Sequence, residues 1–203
     1  MPEKIVIERS VLLEKNKAFL NGNLLFEFSQ PDNSAFLTAL YKHLEINYPR
    51  FYKMDNMCKL GFLAAELLLH DSSAYTGYKK EDVAIILQNE NSCLDTDLRY
   101  YETVAEIASP ALFVYTLPNI LIGELCIRFG FKGESIFFLN KKGETGEMFD
   151  YINHLLENDL AQTCLCGWVD YLDEQYKAVL LWVGKNRNGE LFTLNTLDKL
   201  YNQ

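Results

Sequence analysis

From Pro118 to Gly130 the chain reads PNILIGELCIRFG, with only Glu124 and Arg128 charged. Proline suits the first helical turn and glycine the position just past the last, so the segment reads as one helix. A helix that is apolar almost all round has no face to give to water and is expected to be buried within the fold. Two nearby runs point the same way. Residues 83–87 (VAIIL) and 135–139 (SIFFL) are short, continuous and apolar, as in strands covered on both faces.

The remaining text alternates helix with strand. Ser34 is placed to cap a helix through Phe36, Leu37, Leu40, Tyr41 and Leu44, and Asp55 to cap a second running to about His70. Asp95 or Thr96 starts a third, ended by Ser109-Pro110, and a fourth spans about 144–158 with Met148, Ile152, Leu155 and Leu156 turned inward. Strands close the chain near 162–169 and 178–183. The first thirty residues differ: IVIERSVLL and KAFLNGNLLFEF read as strands, with Asn21-Gly22-Asn23 as a hairpin turn. The expected architecture is a single α/β domain. Residues 1–30 form a β-hairpin extension, and 31–203 form a core with a mixed, mostly parallel five-stranded sheet flanked by helices. Pattern alone leaves a flavodoxin-like or Rossmann arrangement open.

A formal net charge of −9 repels phosphate backbones and anionic lipid, which excludes nucleic acid and membrane surfaces as partners. Five cysteines, mostly in apolar runs, fit reduced core thiols, and no stretch reads as a signal peptide or membrane span, so a cytoplasmic location is expected. Glycine-rich phosphate cradles and a G-x-S-x-G elbow are absent, and no cofactor is implied. Cys164 and Cys166 would share one face of a strand, as core rather than metal ligands. His43, His70 and His154 read as helix-surface residues, and Asp95 and Asp97 as partners of a helix N-terminus.

The segment SPALFVYTLPNILIGELCIRFGFKGESIFFLN, Ser109 to Asn140, resembles the β-ketoacyl synthases of the thiolase superfamily. The resemblance rests on Ser109, Pro110, Thr116, Asn119, Gly123, Gly130, Gly133, Ser135 and Ile136. Weaker similarity covers AIILQNENSCLDTDLRYYETV, CLCGWVDYL and AVLLWV, and so roughly the N-terminal half of such an enzyme. The wording, YKMDNMCKLGFLAAELLL included, is similar to the short ketosynthase-like proteins of aryl-polyene and flexirubin-type clusters. The resemblance implies the N-terminal half of a thiolase-like fold. It places Lys142 where the family carries its nucleophilic cysteine, and the family's two histidines fall in a half that this sequence does not contain. No catalytic residue is therefore expected.

The resemblance further implies a dimer built on the strand Ser135, Ile136, Phe137, Phe138 and Leu139. Leu112, Phe113, Tyr115 and Leu117 would shape an acyl tunnel or lie at the interface. The expected partner is a full-length ketosynthase in a heterodimer, or a second copy of the chain, with acyl carrier protein reached only indirectly. Expected, then, is a non-catalytic subunit that shapes the tunnel of a β-ketoacyl synthase in fatty-acid or polyene synthesis. An enzyme of other acyl chemistry through Lys142, or a stand-alone acyl-binding homodimer, are the alternatives.

Overall fold

The structure, a computed structural model, describes residues 4–29, 32–70, 73–173, 175–186 and 188–201, with backbone only at 73 and 74. The outer limits of the expected extension and core (1–3, 30, 31, 202 and 203) lie outside the described residues. The strands are β1 (Lys4–Glu14), β2 (Lys17–Leu20), β3 (Asn23–Glu27), β4 (Val83–Asn89), β5 (Ser135–Leu139), β6 (Thr163–Leu172), β7 (Gln175–Asn186) and β8 (Glu190–Leu191). The helices are α1 (Asn33–His43), α2 (Asn56–Leu68), α3 (Ser73–Thr76), α4 (Leu94–Val104), α5 (Pro110–Phe113), α6 (Asn119–Phe129), α7 (Gly146–Glu157) and α8 (Leu194–Tyr201).

All the described strands join one mixed sheet in the order β3-β2-β1-β7-β6-β4-β5, with β8 added to the end of β1. Five strands, β5-β4-β6-β7-β1, form the body, and β2-β3 extend it as the expected hairpin. The sheet is less parallel than the alternation of helix and strand suggested. Only β4–β5 and β4–β6 pair parallel. Between β6 and β7 the chain turns back directly, so these two form a long antiparallel ladder, and β1 runs antiparallel to β7. Two tight turns fold the N-terminal extension. Asn21 and Gly22 make the expected one, and Lys15 and Asn16, both at positive φ, make another between β1 and β2.

Two apolar cores lie on opposite faces of the sheet. One gathers α1, α2 and α6 around Trp182, Phe36, Phe51 and Phe62. The other gathers α7 and α8 around Cys164, Cys166, Trp168 and Phe192. Strand β4 is buried at every position and belongs to both. The helix wrapped most fully in the fold is α2 rather than α6: nearly all its residues are buried, and Asp55 caps it as expected by accepting from Cys58 N at 2.9 Å. Asp32, not Ser34, caps α1.

Helix α6 packs one face on α2, where the bare Gly61 lets Leu121 close in, and leaves Ile127 exposed on the other. Its two charges are spent on ion pairs. Glu124 accepts from Arg50, and Arg128 donates to Glu66.

Gly167 in β6 sits at φ +148°, and a Cβ there would lie 2.0 Å from the Val179 carbonyl oxygen across the ladder. Gly167→Ala is expected to cost about 3 kcal/mol or more, because backbone on both strands must shift. Gly146→Ala, in open space at the start of α7, is expected to stay within about 0.5 kcal/mol. Denaturant unfolding of both variants checks the contrast.

Candidate functional site

In sheets with parallel strands, chemistry gathers where the strands end and the connections diverge. Here that place is the C-terminal end of β4, β5 and β6, since the chain leaves β4 toward β5 and later returns to β6 on the other side. Polar residues collect there. Asn140 donates from Nδ2 to Gln88 Oε1 at 3.3 Å, and Asn91 donates from Nδ2 to Asp170 Oδ2 at 2.7 Å. Lys177 reaches the Tyr201 carbonyl at 2.9 Å and Glu14 Oε2 at 3.4 Å. An open cleft of about 1050 Å³ is lined by Lys142, Trp168, Asp170, Tyr176 and Lys177 among others.

Lys142 does not stand at a helix N-terminus. It occupies an exposed turn closed by a hydrogen bond from Glu144 N to the Lys141 carbonyl, and α7 begins only at Gly146. The helix start is furnished with acids of the chain's own. Glu144, Glu147 and Asp198 line an open groove of about 490 Å³, and Thr145 donates to Asp198 Oδ1 at 3.2 Å. A positive helix end already faced by carboxylates offers little to an oxyanion or a thiolate.

The thiols are no better placed. Burial pushes all five upward: Cys93 and Cys164 to about 12, Cys58 and Cys166 well above their ordinary value, and Cys126 in the same direction. Cys164 and Cys166 are fully buried in the α7–α8 core, as core residues should be. His43, His70 and His154 are exposed. Among the described residues no three acidic, histidine or cysteine side chains are grouped to hold a metal, and no helix is long and apolar enough to cross a membrane.

The remaining expected residues lie at the far edge of the sheet. Strand β5 pairs with β4 alone, so its outer edge is open among the described residues. Ile136 and Phe138 turn toward the α7–α8 core and Phe137 toward the α2–α6 core, with Ser135 and Leu139 exposed. Beside that edge, Phe113 and Leu117 are exposed, Leu112 is half-buried, and Tyr115 is buried. Sequence reasoning left out the residues around them. Leu94, Leu98, Tyr101, Val104, Ile107, Val114 and Ile127 are all exposed, Tyr101 at 77 % and Ile107 at 85 %. Their signal was an apolar stripe along α4 that resembled the inward face of a helix but is turned outward.

This is the N-terminal half of a thiolase-type fold in its ketosynthase form. Solved structures with the same fold make the class specific. A type II polyketide synthase complex, AntDE:AntF, described as an acyl-carrier protein in complex with its ketosynthase bound to the hexaketide, aligns with a TM-score of 0.65 at 15 % identity. The match covers 92 % of this chain and 64 % of that one. The ishigamide ketosynthase/chain length factor aligns at 0.66 and 14 % identity, over 93 % and 64 %. The ketosynthase ApeO in complex with its chain length factor ApeC, from Xenorhabdus doucetiae, aligns at 0.59 and 12 % identity, over 100 % of this chain and 91 % of the matched one. The chain thus spans just under two thirds of the first two and nearly all of the third. No family model and no curated protein matches the sequence.

Burial raises Asp170 above the ordinary carboxylate range, only partly offset by Asn91. A carboxyl raised in the folded state contributes stability that is full below its unfolded pKa of about 3.9 and is lost as pH rises through the folded value. Asp170→Asn, neutral throughout and still able to accept from Asn91, is expected to gain on the native protein between pH 3.5 and 7. A difference in melting temperature that does not change with pH would show that Asp170 is not raised.

Proposed function

We propose that this chain is a non-catalytic ketosynthase-like subunit. It pairs with a full-length β-ketoacyl synthase through β5 and the α4–α5 face and shapes the partner's acyl tunnel in polyketide- or polyene-like synthesis. The observation that carries the reading is the exposed apolar face beside an open strand edge. Leu98, Tyr101, Val104, Ile107, Phe113, Leu117, Ile127 and Leu139 all stand in water in the isolated chain. Large exposed apolar side chains gathered at an unpaired strand are the mark of a surface that another chain covers. The near end-to-end match to a chain of the ApeO–ApeC complex supports the same reading, since that complex joins a ketosynthase to a chain length factor.

The other end of the sheet supports the non-catalytic half. Where a nucleophile would stand is an exposed lysine in a turn, bordered by open grooves rather than an apolar pocket of the kind that activates an amine. Thiols driven upward by burial do not capture an acyl group at neutral pH. The work left to the chain is exclusion. Bulky Phe113 and Leu117 would close the far end of a tunnel whose reactive cysteine belongs to the partner. A net charge of −9 leaves the docking of acidic carrier proteins to the partner's basic surface.

The test is to mix the purified chain with a Cys-His-His ketosynthase encoded beside it and to resolve the mixture by size-exclusion chromatography. A hetero-complex is expected. Ile107→Glu with Leu117→Glu is expected to weaken it at least about tenfold while leaving the melting temperature of the free chain within a few degrees, since both side chains are exposed. Phe113→Ala is expected to lengthen the partner's products. No hetero-complex, together with ketosynthase activity that is the same with and without this chain, would overturn the reading.

A further inference from the structure

Between Leu94 and Ile120 the chain buries two residues, Thr96 and Tyr115. Both spend their hydroxyl on a carboxylate in the helical layer beneath. Thr96 Oγ1 donates to Asp55 Oδ2 at 2.6 Å, and the Tyr115 hydroxyl donates to Glu124 Oε1 at 3.4 Å. The carboxylates are themselves fixed and out of water, Asp55 at 4 % exposure and Glu124 at 2 %. Asp55 caps α2 through Cys58 N, and Glu124 takes Arg50 Nε and Nη2, each at 3.1 Å.

The rest of α4 and α5 adds little apolar burial. What holds the pair together is internal: the Tyr100 and Phe113 rings lie 5.5 Å apart, and Ser109 N donates to Thr103 Oγ1 at 3.0 Å. One further tie, from Asp173 N to Asp95 Oδ1 at 3.0 Å, is on the exposed rim.

We infer that α4–α5 is a separately positioned wall, pegged to the body at Thr96–Asp55 and Tyr115–Glu124. In this arrangement Asp55 and Glu124 are positioning residues that present the apolar face ready-set to the chain that covers it. The purpose rests on the partner reading above, but the pegs do not. A wall fastened by core burial would loosen only with the whole domain. One fastened by two polar contacts has its own opening equilibrium, and each contact to a buried carboxylate shifts it by roughly tenfold. Holding the face in place beforehand removes the fraction of time it is unfit to bind, which raises the rate of productive encounter.

Amide hydrogen exchange on the isolated chain tests the pegs without a partner. Thr96→Val and Tyr115→Phe remove each hydroxyl and keep the side-chain shape, and Thr96→Ser keeps the donor. Exchange across 94–117 is expected to quicken about tenfold in each of the first two, with β6 and α7 unchanged and Thr96→Ser near the native protein. Unchanged exchange in the wall, or equal acceleration throughout the domain, would overturn the inference. Association with the ketosynthase tests the positioning: Tyr115→Phe is expected to slow association several-fold with little change in dissociation. Unaltered rates would overturn the positioning role. If the native chain forms no complex at all, the partner reading fails while the exchange result still decides the pegs.

Discussion

Strand β4 is the constraint from which the arrangement follows. It is buried at every position and is the one described strand with parallel neighbours on both sides. Parallel partners cannot be joined by a turn, so the chain must cross over a face of the sheet to reach each of them. It crosses by α4, α5 and α6 on the way to β5, and by α7 on the other face on the way to β6. Two results come from this routing. The ends of β4, β5 and β6 collect the polar residues, and β5 is left at the margin of the sheet with the α4–α5 segment beside it.

Much of this was legible in the sequence because it depends on local chemistry. The run VAIIL could be read as a strand buried on both faces, and the proline and glycine around α6 mark its ends because their backbone restrictions act within a turn or two. Asp55 could be read as a cap for the same reason. The errors concern relations between distant residues. The antiparallel direction of β7 on β6 is a tertiary fact, and alternation of helix and strand overstated the parallel share of the sheet. The turn at Lys15 and Asn16 escaped notice because it holds two positive φ angles without glycine. The short β8 and the helix α8 lie in a stretch left without assignment.

The candidate site shows the same division. Lys142 in place of a sulfur could be read from the wording of one segment, but its setting could not. That it lies in an exposed turn, with α7 starting four residues later amid its own carboxylates, depends on how 140–146 is folded. The outward turn of α4 was equally hidden. Leu94, Leu98 and Tyr101 recur at the spacing of a helix stripe, and a stripe says that one face is apolar without saying what covers it. In the two cores the cover is the sheet. For α4 the described residues supply none.

Apolar side chains facing water cost a protein solubility and give its own fold nothing, so a face of this kind is stable in a sequence only alongside other means of holding the segment in place. Here those means are polar and few. Thr96 and Tyr115 are the residues of the wall that go inward, and they meet carboxylates already committed to α2 and to Arg50. Ordinary core packing could not do this without drawing Leu98 or Phe113 inward and removing them from the surface. Directional hydrogen bonds fix position at little expense of apolar area, and that is the economy an interface element needs: its hydrophobic side chains stay available for the chain that will cover them.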